Sequence, residues 1–248
     1  MRKSVTLLLL LLLLFILMMS TYVSADTAEI SSDPGLYCPA SEEEINSIEL
    51  PIGEPIYESL QPTSTYAIIS VNVTSPCDKT FRNKFPTTYA AVANRAVESA
   101  DDYLGSKFGI DYVSVAQPLW NYNGTSKDAG TILSNAISSH GITYNGSKKA
   151  DLMVAFADIS ANGNIVGRAN AIGGQYAIVF HTNDAGNAYN VQHETGHLYK
   201  LRHHDDPSAG MSFPSDPVCI MNQGLSSSNF GHLCTPHYNQ WKSNKNYH

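Results

Sequence analysis

Two histidines four residues apart, with a glutamate directly after the first, are the residues of this sequence best suited to catalytic chemistry. They lie in the segment His193-Glu194-Thr195-Gly196-His197. Residues four apart face the same side of a helix, so both imidazoles can reach one metal ion while Glu194 lies beside them. Neutral imidazole suits Zn²⁺, and a catalytic zinc takes three protein ligands and keeps one position open. The spacing therefore predicts a zinc site on a helix.

A third ligand must come from beyond this helix, because a continuing helix would carry the chain away from the metal. Candidates follow within nine residues of His197, namely His203, His204, Asp205 and Asp206. The alternative interpretation of the motif is a surface helix whose histidines are only solvated. A predicted strand and turn before the motif, and the group of candidate ligands after it, favour the metal site.

Longer patterns give the sequence a resemblance to a known family. The run His193–His203, written HETGHLYKLRH, resembles the metzincin metallopeptidase signature H-E-x-x-H-x-x-G-x-x-H. The run Cys219–Asn222, written CIMN, resembles the Met-turn of that family, which places a methionine thioether, here that of Met221, beneath the metal. An ordinary core methionine is the alternative for this residue. Residues 151–156 and 167–174 are similar to the strand and edge strand of the adamalysin or reprolysin-like branch.

The resemblance implies a fold, a cofactor and a reaction. The implied fold is an α/β (α+β) zincin with a mixed, mostly parallel twisted sheet, an active-site helix and a small irregular C-terminal subdomain that ends in a helix. The implied cofactor is one catalytic Zn²⁺ held by His193, His197 and His203. In this family a zinc-activated water attacks a peptide carbonyl, and the implied general base that takes its proton is Glu194.

The resemblance also implies a protein or peptide substrate that is bound in extended form in a cleft. Residues 167–174 would form the cleft edge and pair with the substrate as an added strand. Residues 224–231, after the Met-turn, would form the wall that selects one substrate side chain.

One position departs from the family pattern. Lys200 stands where the signature has glycine, at the point where the chain must leave the helix abruptly. A positive φ there costs a lysine on the order of 1 kcal/mol. The departure leaves the third ligand open: His203 keeps the family spacing, and His204 and Asp205 are the alternatives.

We expect a secreted zinc endopeptidase from these patterns. Two other functions stay open, a zinc amidase or exopeptidase that uses the same helix and a non-catalytic binding module stabilised by zinc. Serine-hydrolase chemistry is not indicated, because the sequence has no G-x-S-x-G segment. A chain with a net charge of −7 and no basic stripe is not expected to bind nucleic acid. The patterns do not indicate an oligomeric state.

Hydrophobic periodicity and turn residues predict the elements that hold the motif. The predicted strands lie at residues 66–73, 112–115, 152–157, 169–172 and 175–180. The predicted helices are one that ends at Gly105, one at residues 129–139 capped by Asp128, the motif helix from about Asn187, and a last one at residues 235–241. The order predicts a single α/β domain with a C-terminal part that lacks strands.

Three parts are expected along the chain. Residues 1–25 have a basic start, the apolar run Leu7–Met19 and small residues at the cleavage positions, as a secretory signal peptide does. A helix of that run would reach only about 20 Å, short of the ~30 Å hydrocarbon core, which argues against a membrane anchor. Residues 26–62 form an N-terminal leader or pro-segment, and residues 63–248 form the catalytic domain, secreted and not membrane-bound after cleavage.

The four cysteines agree with export, since an even number suits disulfide bonds. Nested spacing favours Cys38–Cys77 and Cys219–Cys234, one of three possible connectivities. Many relatives are latent because a leader cysteine or aspartate occupies the open zinc position, and Cys38 is the alternative candidate for that role. The histidines without motif spacing are expected to be solvated or structural: His140, His181, His232 and His237.

Overall fold

The computed structural model of the chain describes residues 37–39, 67–204, 218–223 and 230–248. The strands in these ranges are β1 (Tyr37–Pro39), β2 (Ile69–Thr74), β3 (Cys77–Asp78), β4 (Ile110–Ala116), β5 (Leu119–Trp120), β6 (Thr143–Tyr144), β7 (Lys148–Lys149), β8 (Leu152–Ala157), β9 (Ile165–Ala169) and β10 (Tyr176–Phe180). The α-helices are α1 (Lys79–Lys84), α2 (Tyr89–Ala100), α3 (Asp102–Phe108), α4 (Ala129–Ser139), α5 (Asp184–Leu198) and α6 (Thr235–Asn244).

Eight strands form one mixed sheet in which most neighbouring pairs are parallel. Its order is β1-β9-β10-β8-β2-β4, and β3 pairs with both β8 and β5. The antiparallel pairs of this sheet, β1–β9 and β9–β10, lie at one edge. The remaining two strands, β6 and β7, form a separate hairpin. The mixed, mostly parallel sheet predicted from the sequence is confirmed.

Strand β8 is covered on both faces, as parallel strands with crossover helices require. All six of its residues are buried. Leu152, Val154 and Phe156 belong to a hydrophobic cluster that includes residues of α2, α3, α5 and α6. The residues that alternate with them belong to a second cluster, which includes residues of α4. The predicted strand at residues 152–157 is confirmed with its bounds.

Local capping explains two helix boundaries. Helix α4 has the predicted bounds, and the Asp128 side chain accepts a hydrogen bond of 2.7 Å from the backbone N–H of Thr131. The predicted helix end at Gly105 is wrong, because α3 continues to Phe108. Gly109 follows it with a φ of 74°, a left-handed conformation that suits glycine and ends a helix.

The edge strand lies four residues earlier than predicted. Strand β9 ends at Ala169, which pairs with Ala177 of β10 in an antiparallel register. The residues between Ala169 and Ala177 form the turn that joins β9 to β10, and the Asn170 N–H donates to the Tyr176 carbonyl at 2.9 Å. The prediction at residues 169–172 was wrong because those residues form the connection between two strands.

The C-terminal part matches the predicted irregular subdomain. Within residues 201–204, 218–223 and 230–248 there is no strand, and the chain finishes with α6. Across the described ranges, no helix is long and apolar enough to span a membrane. The predicted signal peptide lies outside the described residues, as does the predicted leader apart from β1.

The predicted Cys38–Cys77 disulfide is not formed in this structure. Cys38 lies on β1, while Cys77 lies on β3, and β9, β10 and β8 separate the two strands. Four steps of ~4.8 Å place these strands about 19 Å apart, whereas a disulfide needs α-carbons within about 7 Å. Cys77 is instead a buried thiol that donates to the Ser75 carbonyl at 3.3 Å.

Candidate metal centre

Helix α5 carries the first half of the candidate site. The helix begins after Asn183, whose side chain accepts a hydrogen bond from the Gly186 N–H at 2.7 Å. This start is three residues earlier than predicted, because Asn183 supplies the cap. His193, Glu194 and His197 lie in the second half of the helix and are fully buried.

A tight turn after α5 directs the chain back toward the helix. The Lys200 N–H donates to the His197 carbonyl at 2.9 Å, and the Leu201 N–H donates to the Gly196 carbonyl at 2.9 Å. These two bonds form a Schellman motif, which requires a left-handed residue directly after the helix cap. Lys200 is that residue, with a φ of 71°. The chain therefore leaves the helix at the expected residue, although that residue is lysine and not glycine.

Three imidazole rings meet after this turn. The Nε2 atom of His203 lies 2.9 Å from Nε2 of His193 and 3.1 Å from Nε2 of His197. Nitrogens bound to one tetrahedral zinc at ~2.0–2.1 Å lie about 3.3 Å apart. The spacing in the structure is close to that value. We call His193, His197 and His203 the three-histidine site.

Backbone carbonyls orient two of the rings. Nδ1 of His193 lies 2.5 Å from the Ile220 carbonyl, and Nδ1 of His197 lies 2.9 Å from the Leu201 carbonyl. A carbonyl only accepts, so each Nδ1 carries the proton and each Nε2 presents a lone pair. Lone pairs that converge in a buried site repel one another unless a cation binds them. The donor set therefore fits zinc.

Burial favours the neutral form of the His193 and His203 rings. The pKa of His193 is well below its ordinary value. The larger cause is burial, and the second is the neighbouring His197 ring. The pKa of His203 is lowered in the same way, mainly by burial and then by the His197 and His193 rings. Neutral imidazole is the form that can bind a metal, and both rings are in that form at neutral pH.

Glu194 lies against the edge of the sheet. A Cβ placed on Gly167 of β9 would come within 2.3 Å of Oε1 of Glu194. Glycine at this position lets the edge strand pass directly beside the carboxylate. The predicted general base and the predicted substrate edge are therefore neighbours.

The predicted Met-turn lies beneath α5. The Asn222 N–H donates to the Cys219 carbonyl at 3.1 Å, which closes a tight turn. Met221 is fully buried, and a Cβ placed on Gly196 would come within 2.6 Å of its Sδ atom. The carbonyl of Ile220 in the same turn is the acceptor that orients His193. The turn thus supports the three-histidine site through both packing and a hydrogen bond.

A second histidine and cysteine group lies beside this site, and the sequence interpretation missed it. His204, one alternative for the third ligand, does not join the three-histidine site but lies with Cys219, Cys234 and His237. Of the two environments expected for His237, solvated or structural, the structure shows a fully buried ring whose Nδ1 lies close to both sulfurs. The spacing Cys234-x-x-His237, one helical turn, was the sequence signal that could have identified it.

The predicted Cys219–Cys234 disulfide is not formed either. Among the cysteines whose side chains the structure describes, none is in a disulfide bond. The sulfurs of Cys219 and Cys234 lie 3.4 Å and 3.1 Å from Nδ1 of His237. Both side chains are turned toward this ring. Asp205, the other alternative ligand, and most of the predicted specificity wall at residues 224–231 lie outside the described residues.

Replacement of Lys200 tests how the turn is stabilised. Its ammonium lies 3.7 Å from the centre of the Tyr247 ring, a cation–π contact that offsets part of the backbone strain. Lys200→Ala should lower the free energy of unfolding by about 0.5–1 kcal/mol, because alanine keeps the strain and loses this contact. Lys200→Gly should be about 1 kcal/mol more stable than Lys200→Ala, because glycine tolerates positive φ. Urea unfolding measures the difference, and equal stabilities would contradict strain at this residue.

The comparison with protein families agrees with the geometry. A reprolysin model, described as metallo-peptidase family M12, matches residues 67–246, which is more than half of the chain. The match includes the three-histidine site, Glu194 and the Met-turn. Among curated proteins, none matches this chain. The chain therefore belongs to metallo-peptidase family M12, a family of zinc-dependent peptidases.

Proposed function

We propose that this protein is a secreted zinc endopeptidase whose metal ligands are His193, His197 and His203. The observation that carries the proposal is the convergence of three buried imidazole nitrogens beside Glu194 and the sheet edge. Family membership supplies the peptidase class. The edge of β9 at the metal centre, which β1 covers in the structure, would suit a chain that continues past the cleavage point on both sides once β1 leaves it.

The mechanism divides the work between the metal and Glu194. Zinc held by His193, His197 and His203 would supply a Lewis acid and would lower the pKa of a bound water toward ~7. Glu194 accepts a proton from the attacking water and returns it to the departing amine nitrogen. The Ile220 and Leu201 carbonyls hold the His193 and His197 rings in the tautomer that the metal needs.

Strand β9 supports an extended mode of substrate binding. In the structure this edge already accepts a strand, because β1 pairs with it in an antiparallel register that places Cys38 opposite Gly167. An added strand at this register passes the residue whose Cα lies against the Glu194 carboxylate. A peptide in the place of β1 would receive main-chain hydrogen bonds from β9.

The leader is proposed to inhibit the enzyme. Residues Tyr37–Pro39 occupy the edge that a substrate strand would use. The register brings Cys38, the leader cysteine predicted as a candidate for latency, to the position next to the metal centre. This placement supports inhibition by the leader in place of the disulfide expected from sequence.

Cys38→Ala in the full chain tests the inhibitory role. We expect peptide hydrolysis to rise at least about tenfold, because a thiolate is a strong zinc ligand and alanine is not one. The matched control is Cys77→Ala, which removes a buried thiol from β3, four strands away from β1, and should leave latency unchanged. An equal rise in both variants would indicate that the two cysteines act together as a disulfide and would contradict the proposal.

Cleavage of an unfolded protein separates the endopeptidase from the other zinc hydrolases. The Cys38→Ala protein is incubated with β-casein, and the early products are identified by mass spectrometry. The proposal predicts internal fragments before any shortening from the termini. Products that shorten one residue at a time would favour an exopeptidase, and zinc binding without any cleavage would favour a binding module.

A further inference from the structure

Four side chains outside the three-histidine site form a second group with metal-ligand chemistry. His204, Cys219, Cys234 and His237 each offer one ligand atom, and these atoms all lie within 4.8 Å of one another. We call them the Cys2His2 cluster. Its members come from three separate segments: the turn after α5, the Met-turn and the start of α6. Cys219, Cys234 and His237 are buried, and His204 is half-buried.

A backbone carbonyl fixes the tautomer of the central ring. Nε2 of His237 donates to the Arg202 carbonyl at 2.8 Å. The proton is therefore on Nε2, and Nδ1 presents a lone pair toward the sulfurs of Cys219 and Cys234. Metal-bound histidines are commonly oriented by a carbonyl on their second nitrogen. The same arrangement orients His193 and His197 in the three-histidine site.

The separations agree with tetrahedral zinc. Zn–N distances of ~2.0–2.1 Å and Zn–S distances of ~2.3 Å place a nitrogen and a sulfur of one site about 3.5 Å apart. The two sulfurs lie 3.4 Å and 3.1 Å from Nδ1 of His237. The His204 and His237 rings meet edge to face, with centres 4.7 Å apart. Two sulfurs and two nitrogens in tetrahedral geometry are typical of structural zinc.

We propose that the Cys2His2 cluster binds a second, structural zinc ion that joins the turn after α5, the Met-turn and α6. Binding displaces one proton from each thiol, so two thiolates balance the double charge of the ion. Four protein ligands close the coordination shell and leave no position for a substrate. His204 directly follows the catalytic ligand His203, and Cys219 precedes the carbonyl that orients His193. The second ion would therefore stabilise the positions of His203 and of the Ile220 carbonyl that orients His193.

A Cys219–Cys234 disulfide is the competing state of the two sulfurs. It would leave His237 and His204 without a role as ligands and would keep one zinc per chain. In the structure both sulfurs lie within 3.4 Å of Nδ1 of His237, and the Cys234 N–H donates to the Cys219 sulfur at 3.4 Å, which is the arrangement of a ligand group. The two sulfurs cannot bind zinc and form a disulfide at the same time, so zinc analysis and peptide mapping of one protein preparation distinguish the two states.

Zinc content and X-ray absorption of the purified Cys38→Ala protein test the proposal, because this protein lacks the leader thiol that is proposed above as a ligand of the catalytic zinc. We expect two zinc ions per chain and a zinc–sulfur shell at ~2.3 Å that averages one sulfur per zinc. This measurement changes no residue of the Cys2His2 cluster, so it does not depend on the folding of a cluster variant. A single zinc without sulfur neighbours, or a Cys219–Cys234 disulfide found by peptide mapping of the unreduced protein, would overturn the proposal.

Variants assign the ion to the cluster. Added to Cys38→Ala, Cys234→Ser and His237→Ala should each lose one zinc per chain together with the sulfur signal, while the nitrogen-bound ion remains. His232→Ala is the matched control, because this exposed histidine lies between the Met-turn and α6 but outside the cluster, and it should keep both ions. Retention of two zinc ions with sulfur neighbours in Cys234→Ser and His237→Ala would refute the assignment. Loss of the sulfur-free ion alone would also refute it, because the sulfur-bound ion would then not depend on the cluster.

Discussion

Glu194→Gln is expected to lower kcat/KM for peptide hydrolysis by about 10²- to 10⁴-fold while the zinc content stays unchanged. Glutamine has the shape of glutamate, so it fits the same fully buried position against Gly167 of β9. It has no carboxylate to accept a proton from water. Because Glu194 is not one of the three converging ring donors, its loss should leave metal binding intact. The experiment pairs peptide hydrolysis with zinc analysis of the same sample.

The matched control for this variant is Glu98→Gln. Glu98 lies on α2, where its carboxylate accepts a hydrogen bond from the Ser114 N–H at 2.9 Å, outside the metal centre. The same chemical change there should leave hydrolysis unaltered. Full activity in Glu194→Gln would contradict the assignment of this residue as the general base. Loss of zinc in that variant would instead make Glu194 a residue that supports the metal.

His203→Ala is expected to remove the catalytic zinc and with it all measurable hydrolysis. Changes to residues that only orient metal ligands weaken metal affinity about 10- to 100-fold, so loss of a ligand should cost at least about 100-fold. The His203 ring lies close to both others, with ring centres 5.0 Å and 4.6 Å from those of His193 and His197. Zinc analysis of the variant should show that only metal with sulfur neighbours remains.

This variant also decides between the candidate third ligands. If His204 were the third ligand, His203→Ala would retain zinc bound by nitrogen alone and would remain active. His140→Ala is the control, because that ring lies on another part of the molecule, where Nε2 contacts the Leu119 carbonyl at 3.0 Å. It should keep the full zinc content and full activity.

Features encoded by local sequence were predicted best. The cap at Asp128 and the apolar run of β8 each depend on a few consecutive residues, and both elements have their predicted bounds. The spacing of the two helix histidines predicted a shared direction, and their rings meet with centres 4.9 Å apart. Such features need no knowledge of distant parts of the chain.

Features that depend on distant contacts were not predictable in the same way. Strand β1 pairs with β9 although the two strands are more than a hundred residues apart in the sequence, so no local pattern indicates the pairing. The Cys2His2 cluster gathers residues from three segments, and nested spacing predicted two disulfides that the described cysteines do not form in this structure. Lys200 was identified as a departure from the motif, but its contact with Tyr247 near the C-terminus could not be read from the signature.

The most direct test of the central claim is casein cleavage by the Cys38→Ala protein before chelator treatment, after it, and again after zinc is added back. We predict that the chelator abolishes cleavage and that added zinc restores it as the three-histidine site refills. Cleavage that continues after the sulfur-free zinc has been removed would contradict a zinc-dependent mechanism. Refilling of that site without return of cleavage, in protein that remains folded, would contradict its catalytic role.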